Sequence, residues 1–139
     1  MIDPLKGYPG YLLRRASAHA MAKLAKRLKG LDLSPTEATV LNVIEANPNV
    51  NQSDIGRLLD IARANMAPLV SRLAQRDLIE RQPLDKRSHG LILSRTGRSL
   101  TTKVKKVFAD HEADLLTGIP ASQRAVFLSS LRSLLEREP

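Results

Sequence analysis

The sequence predicts a mainly α-helical fold with one small β-hairpin: a winged helix-turn-helix with further helices at both ends, about six helices in all. Three observations predict it. Between Asn51 and Arg76 a capped amphipathic segment meets a break at Asp60-Ile61, and a second amphipathic segment follows. Next come two short β-like runs, Leu78–Arg81 and Leu91–Leu93, joined by a polar basic loop, Gln82–Gly90. Outside this unit, residues 11–29 and everything after Ser94 keep apolar side chains at helical spacings.

Composition bounds the reading. At 139 residues the chain is one domain with helical flanks. Aromatic residues make up only 3%, so the core must be built from Leu, Ile, Val and Ala. A net charge of +8 predicts a polyanionic partner held by salt-sensitive attraction. That charge is uneven. Residues 1–30 carry seven Lys/Arg against one acid, residues 31–50 three acids and no base, and residues 51–98 nine bases against five acids. There is no cysteine, which removes disulfides and thiolate metal sites. No apolar run approaches the roughly 20 residues that span a bilayer, and Arg14, Arg15 and His19 interrupt any signal-like stretch. A cytoplasmic chain without membrane contact is expected.

The elements follow in order. An irregular arm with Pro4, Gly7, Pro9 and Gly10 leads into a helix from Tyr11 to Lys29, with Gly30 as its expected C-terminal stop. Its stripe is Tyr11, Leu12, Ala16, His19, Ala20, Lys23, Leu24 and Leu28. Ser34-Pro35-Thr36-Glu37 spells a capping box with Pro at the first helical position. That helix should bury Ala38, Val40, Leu41, Val43 and Ile44 and end at Asn47-Pro48-Asn49. Val50 is placed to pair with the wing as a one-residue strand. Asn51 caps the third helix, which should bury Ile55, Leu58 and Leu59. The fourth, from about Ala62 to Arg76, turns Met66, Leu69, Val70 and Leu73 inward, and Pro68 should bend it without dividing it. Ser94 caps a long helix to about Leu116, and Gly118 and Pro120 precede a last helix.

A winged unit of about 65 residues closes its own core, so the apolar stripes of the first and last two helices need another partner. Burial across a two-fold axis is the simplest solution, and a homodimer is expected; an intramolecular bundle is the alternative. The chain accordingly divides into an arm and dimerisation helix (1–30), a DNA-reading unit (31–98) and C-terminal dimerisation helices (99–139).

The exposed side of the fourth helix carries the chemistry. Arg63 and Asn65 sit near its N-terminus; Arg bonds guanine through two donors, and Asn bonds adenine similarly. Ser71 and Arg72 lie further along, where phosphate contact is expected, with a salt bridge from Arg72 to Asp85 as the structural alternative. Asn51 and Ser53, at a helix start, suit phosphate as well. Lys86 and His89 in the loop are further phosphate candidates.

Particular stretches carry a family resemblance. They are Asn51-Gln-Ser-Asp-Ile55, Arg63-Ala-Asn-Met66, Leu73 to Arg81, Asp85-Lys86-Arg87, and Leu91-Ile-Leu-Ser-Arg-Thr-Gly-Arg98. In these the chain resembles the MarR family of bacterial transcriptional regulators along nearly its whole length. The resemblance implies a triangular dimer built on the terminal helices, one reading helix and one wing per subunit, and repression relieved by a small ligand, often phenolic or aromatic. It implies that Arg87 enters a minor groove, where a narrow A·T-rich tract attracts it, with Asp85 orienting a neighbouring arginine. It also implies an effector pocket between the dimer helices and the reading unit, for which Tyr8, Tyr11, Arg15 and His19 are candidates; the alternative is that these are interface or core residues. Two departures stand out: Asp77 replaces the family's usual Gly before the wing, and Pro68 occupies an often polar position.

Catalysis finds no support. His19, His89 and His111 are isolated in sequence, and His111-Glu112 are adjacent residues that do not share a helix face. Gly97 and Gly118 stand alone, so there is no phosphate-binding glycine loop, and no metal or cofactor is expected. The rival to a sequence-specific regulator is a winged helix used for protein contact or for non-specific DNA architecture.

Overall fold

The computed structural model describes residues 1–136; residues 137–139, the end of the expected C-terminal dimerisation region, lie outside the described residues. The elements run α1 (Pro9–Leu28), α2 (Pro35–Ala46), α3 (Gln52–Leu59), α4 (Arg63–Gln75), β1 (Ile79–Pro83), β2 (His89–Leu93), α5 (Arg95–Leu116) and α6 (Arg124–Glu136), with 3-10 turns at Lys29–Leu31 and Ala121–Gln123. This is the mainly helical winged fold read from the sequence.

The core lies between α2, α4, the hairpin and the facing ends of α1 and α5. Leu28, Leu41, Ile44, Ile55, Met66, Leu73, Leu91 and Val104 are all but inaccessible there. The starts of α2, α3 and α5 match the caps read from the sequence. Ser34 accepts from the Glu37 N–H while Glu37 accepts from the Ser34 N–H, and the Asn51 and Ser94 side chains accept from the N–H groups of Asp54 and Gly97. The hairpin pairs antiparallel from Ile79↔Leu93 to Pro83↔His89, and Val50 bridges Leu91 as a single residue. Both strands are longer than the apolar runs suggested, because Gln82, Pro83, His89 and Gly90 continue the ladder outward into the wing, where all but Gly90 are exposed.

Four expectations are corrected. Gly30 is not a left-handed stop. The chain continues through a 3-10 turn, and Asp32 (φ 52°) takes the left-handed position. Asn49, Asp60 and Asp77 do the same elsewhere, and no described glycine has a positive φ; Asp and Asn tolerate this conformation best after glycine. Leu58 is not buried but 65% exposed. In a two-turn helix the buried side is centred on Ile55, Gly56 and Leu59, and residue 58 points roughly 100° away from that centre. The α1 stripe is buried only at Leu24 and Leu28, leaving Leu12, Ala16 and His19 exposed within the chain. Finally, Arg72 and Asp85 form no ion pair; the described ion pairs lie elsewhere. Pro68 stays within one continuous α4 on its exposed side, where water can satisfy the Ala64 carbonyl that the proline leaves without a donor.

α5 spans both halves of the molecule. Its N-terminal end packs beside β2, where Gly97 lies so close to the residue preceding β1 that an added Cβ would sit 1.9 Å from the Leu78 carbonyl oxygen. Further along it packs against α1 and α2. α6 has no buried residue and packs principally on the turn before it.

Candidate nucleic-acid interface

α4 presents two faces because its apolar side chains recur at three and four. Met66, Leu69, Val70 and Leu73 are buried, while Arg63, Ala64, Asn65, Ala67, Pro68, Arg72 and Gln75 are exposed. No side chain of α4 hydrogen-bonds or ion-pairs with another described residue. Its polar face is therefore uncommitted.

Two grooves flank that face. The first, of about 360 Å³, runs between the start of α3, the start of α4 and the wing. It gathers Asn51, Ser53, Arg63, Arg87 and His89, five of the nine DNA-binding candidates. The second, of about 590 Å³, lies on the other flank between α4 and the start of α2, and holds Asn65 and Arg72 beside Ser34, Thr36 and Pro68. Arg63 and Asn65 thus straddle the helix instead of sharing a groove. Ser71 is half-buried, and Lys86 is exposed at the wing tip.

The first groove also contains Arg57 and Arg81, which sequence reasoning passed over. Arg57 follows Asp54 by three residues and reads as an ordinary surface pair. The two do form an ion pair, and it holds the guanidinium at the groove's edge. Arg81 reads as a strand residue; its signal was the register, which pairs it with Leu91 in the middle of the wing. With Arg63 and Arg87 they place four guanidinium groups around one groove. Arg63, Arg81 and Arg87 have no ion-pair partner among the described residues. Such a surface holds phosphate through charge-assisted hydrogen bonds.

Two candidate side chains have internal work. Asn51 accepts from the Asp54 N–H at 2.8 Å and donates to the Asp54 carboxylate at 2.9 Å, so its side chain is spent on the helix start. Asp85 accepts from the backbone N–H groups of Arg87 (2.8 Å) and Ser88 (2.9 Å), which closes the wing turn. These bonds hold its carboxyl below the ordinary carboxylate range. Asp85 therefore shapes the backbone under Arg87 and does not orient a guanidinium.

The ligand candidates divide likewise. Tyr11 donates to the Asp3 carboxylate at 2.7 Å, and Arg15 donates to the Tyr11 hydroxyl at 3.1 Å. The Tyr11 hydrogen bond is the main reason the Asp3 carboxyl is lowered. This network ties the N-terminal arm to α1, with the guanidinium groups of Arg14 and Arg15 5.6 and 5.8 Å from the Tyr11 ring centre. Tyr8 and His19 are exposed and stand outside it.

Comparison with known proteins accords with this geometry. Residues 31–88, the span from α2 to the wing tip, match the MarR family. A solved transcriptional repressor, CouR, bound to a 23-mer DNA duplex, is 31% identical, covers 98% of both chains and superposes with a TM-score of 0.89. The chain belongs to the MarR family. CouR bound to p-coumaroyl-CoA is also similar, at 28% identity over 99% of both chains with a TM-score of 0.90. A putative transcriptional regulatory protein for the hcr operon of Thauera aromatica is 23% identical over 137 residues, 96% of this chain and 82% of that protein. Among the described residues of this MarR-family regulator, no helix is long and apolar enough to cross a membrane.

Proposed function

We propose that this protein is a sequence-specific repressor that binds a pseudo-palindromic operator as a homodimer and is released by a small aromatic ligand. The observation that carries the proposal is the uncommitted polar face of α4 beside a groove ringed by Arg57, Arg63, Arg81 and Arg87. Residues 31–98 read the DNA; residues 1–30 and 99–139 pair the subunits. Arg63 and Asn65 choose sequence from opposite flanks of α4. Arg87 enters the minor groove, on a turn shaped by Asp85. Ser53, Arg57, Ser71, Arg72, Arg81, Lys86 and His89 contact phosphate, and Asn51 serves them through the helix start that it caps.

Exposure supports the dimer. The chain presents 10143 Å² to solvent, whereas a compact monomer of 15.3 kDa presents about 7,100 Å². The excess includes an apolar face on α6, where Val126 is 67% and Leu135 86% exposed, and one on α1 with Leu12, Leu13 and Met21. Two-fold pairing buries both and sets two reading helices about one DNA turn, roughly 10 bp, apart.

The DNA-bound and p-coumaroyl-CoA-bound CouR structures support the partner and the ligand class, an aromatic acid or its CoA thioester. The repressor works in the cytoplasm and needs no cofactor or catalytic residue.

Binding to duplexes from the region upstream of its own gene tests the assignment. Arg87→Ala should weaken binding strongly, whereas Arg63→Ala or Asn65→Ala should cost roughly 5- to 150-fold on the operator and little on random DNA. Equal losses on both DNAs for all three variants would remove the division of roles.

A further inference from the structure

The side chains that hold the reading helix inward are apolar: Met66, Leu69, Val70 and Leu73. One polar tie is added at its C-terminal cap. Arg76 donates from Nη1 to the Asp32 carbonyl at 2.5 Å and from Nη2 to the Leu31 carbonyl at 3.3 Å. Those carbonyls end the 3-10 turn that continues α1, where helical C=O groups are left without N–H partners and carry the negative end of the dipole. Left-handed Asp32 terminates the turn there. A planar guanidinium can hold two adjacent carbonyls at once; an ammonium cannot fix that geometry. One residue further, the Asp77 carbonyl accepts from the Ser94 hydroxyl at the head of α5. The end of the reading helix is therefore tied directly to the last turn of α1 and, through its neighbour, to the first of α5.

We propose that Arg76 is a specificity-determining positioning residue: by locking α4 to α1 it fixes the distance and tilt between the two reading helices, and so sets the half-site spacing the protein accepts. The inference rests on the dimeric reading above, in which α1 belongs to the pairing helices. One inserted base pair moves a half-site by about 3.4 Å and about 35°. A dimer with rigidly held reading helices cannot follow that displacement; one with loosened helices can.

The test begins with an operator selected by the native protein from a randomised duplex pool, followed by variants with one base pair inserted or deleted between half-sites. The native protein should lose about tenfold or more in affinity on either change, comparable to a mismatched base pair. Arg76→Ala should reduce that penalty to about threefold or less, and Arg76→Lys should fall between. In parallel, the cysteine-free chain accepts a single spin label through Ala67→Cys on the exposed side of α4. The label-to-label distance distribution in the dimer should broaden in the Arg76→Ala background. If Arg76→Ala fails to fold, Arg76→Lys carries both measurements. An unchanged spacing penalty with an unchanged distance distribution, even alongside a lower melting temperature, overturns the proposal and leaves the dimeric reading intact. Failure of the native protein to select paired half-sites overturns both.

Discussion

Single residues here do work that their type alone does not reveal. Asp85 lies in a basic wing, yet its carboxylate is aimed at two backbone N–H groups and not at a cation. Its lowered folded pKa means that its contribution is fully present above the unfolded value, about 3.9, and is lost as pH falls through the folded one. The Arg87 and Ser88 amides should therefore stay protected from hydrogen exchange down to the pH at which a free aspartate is half-protonated, and lose protection only at more acidic pH; Asp85→Ala should remove that protection at every pH. Gly97 is constrained by space. A Cβ there would overlap the Leu78 carbonyl oxygen, so Gly97→Ala should cost about 3 kcal/mol and lower the melting temperature by roughly 10 °C. The Ser94-x-x-Gly97 pattern was visible in the sequence, but its reason, the approach of α5 to Leu78, needed the structure. Arg57 and Arg81 were missed for the same cause: each has an ordinary local explanation, and only the fold gathers them beside Arg63 and Arg87.

At the level of elements, periodicity served best where one face is buried. The four inward residues of α4 were legible because the core accepts a stripe of Met66, Leu69, Val70 and Leu73 without interruption. It served least in α3, where two turns give too few residues to define a face, and Leu58 was assigned to the wrong side. The wing was underestimated because its outer half pairs through backbone bonds with polar side chains, which leave no apolar signal. In α1 the stripe was real, but most of it finds no partner within one chain. α6 repeats this, with all its described side chains at least partly exposed. If that face pairs two subunits, Leu128→Glu with Leu135→Glu should convert the protein from a particle of twice 15.3 kDa to one of 15.3 kDa, measured by light scattering after size exclusion.

The whole molecule joins a core-forming reading unit to helices that expose apolar surface; most of the net positive charge lies in residues 1–30, with seven Lys/Arg against one acid, while the nine bases of the reading unit all fall in residues 51–98. The candidate surface for DNA spans α3, α4 and the wing, and its arginines converge without acidic competitors beyond the Asp54 that pairs Arg57. Attraction of this kind is strongly salt-dependent on any duplex, so affinity alone does not distinguish a regulator from an architectural protein. Specificity does. The most direct measurement is the ratio of affinities, at physiological salt, for the selected operator and for a scrambled duplex of the same length. Readout by Arg63, Asn65 and Arg87 in two subunits predicts a ratio of at least about 10³. Equal binding to the two duplexes would contradict it.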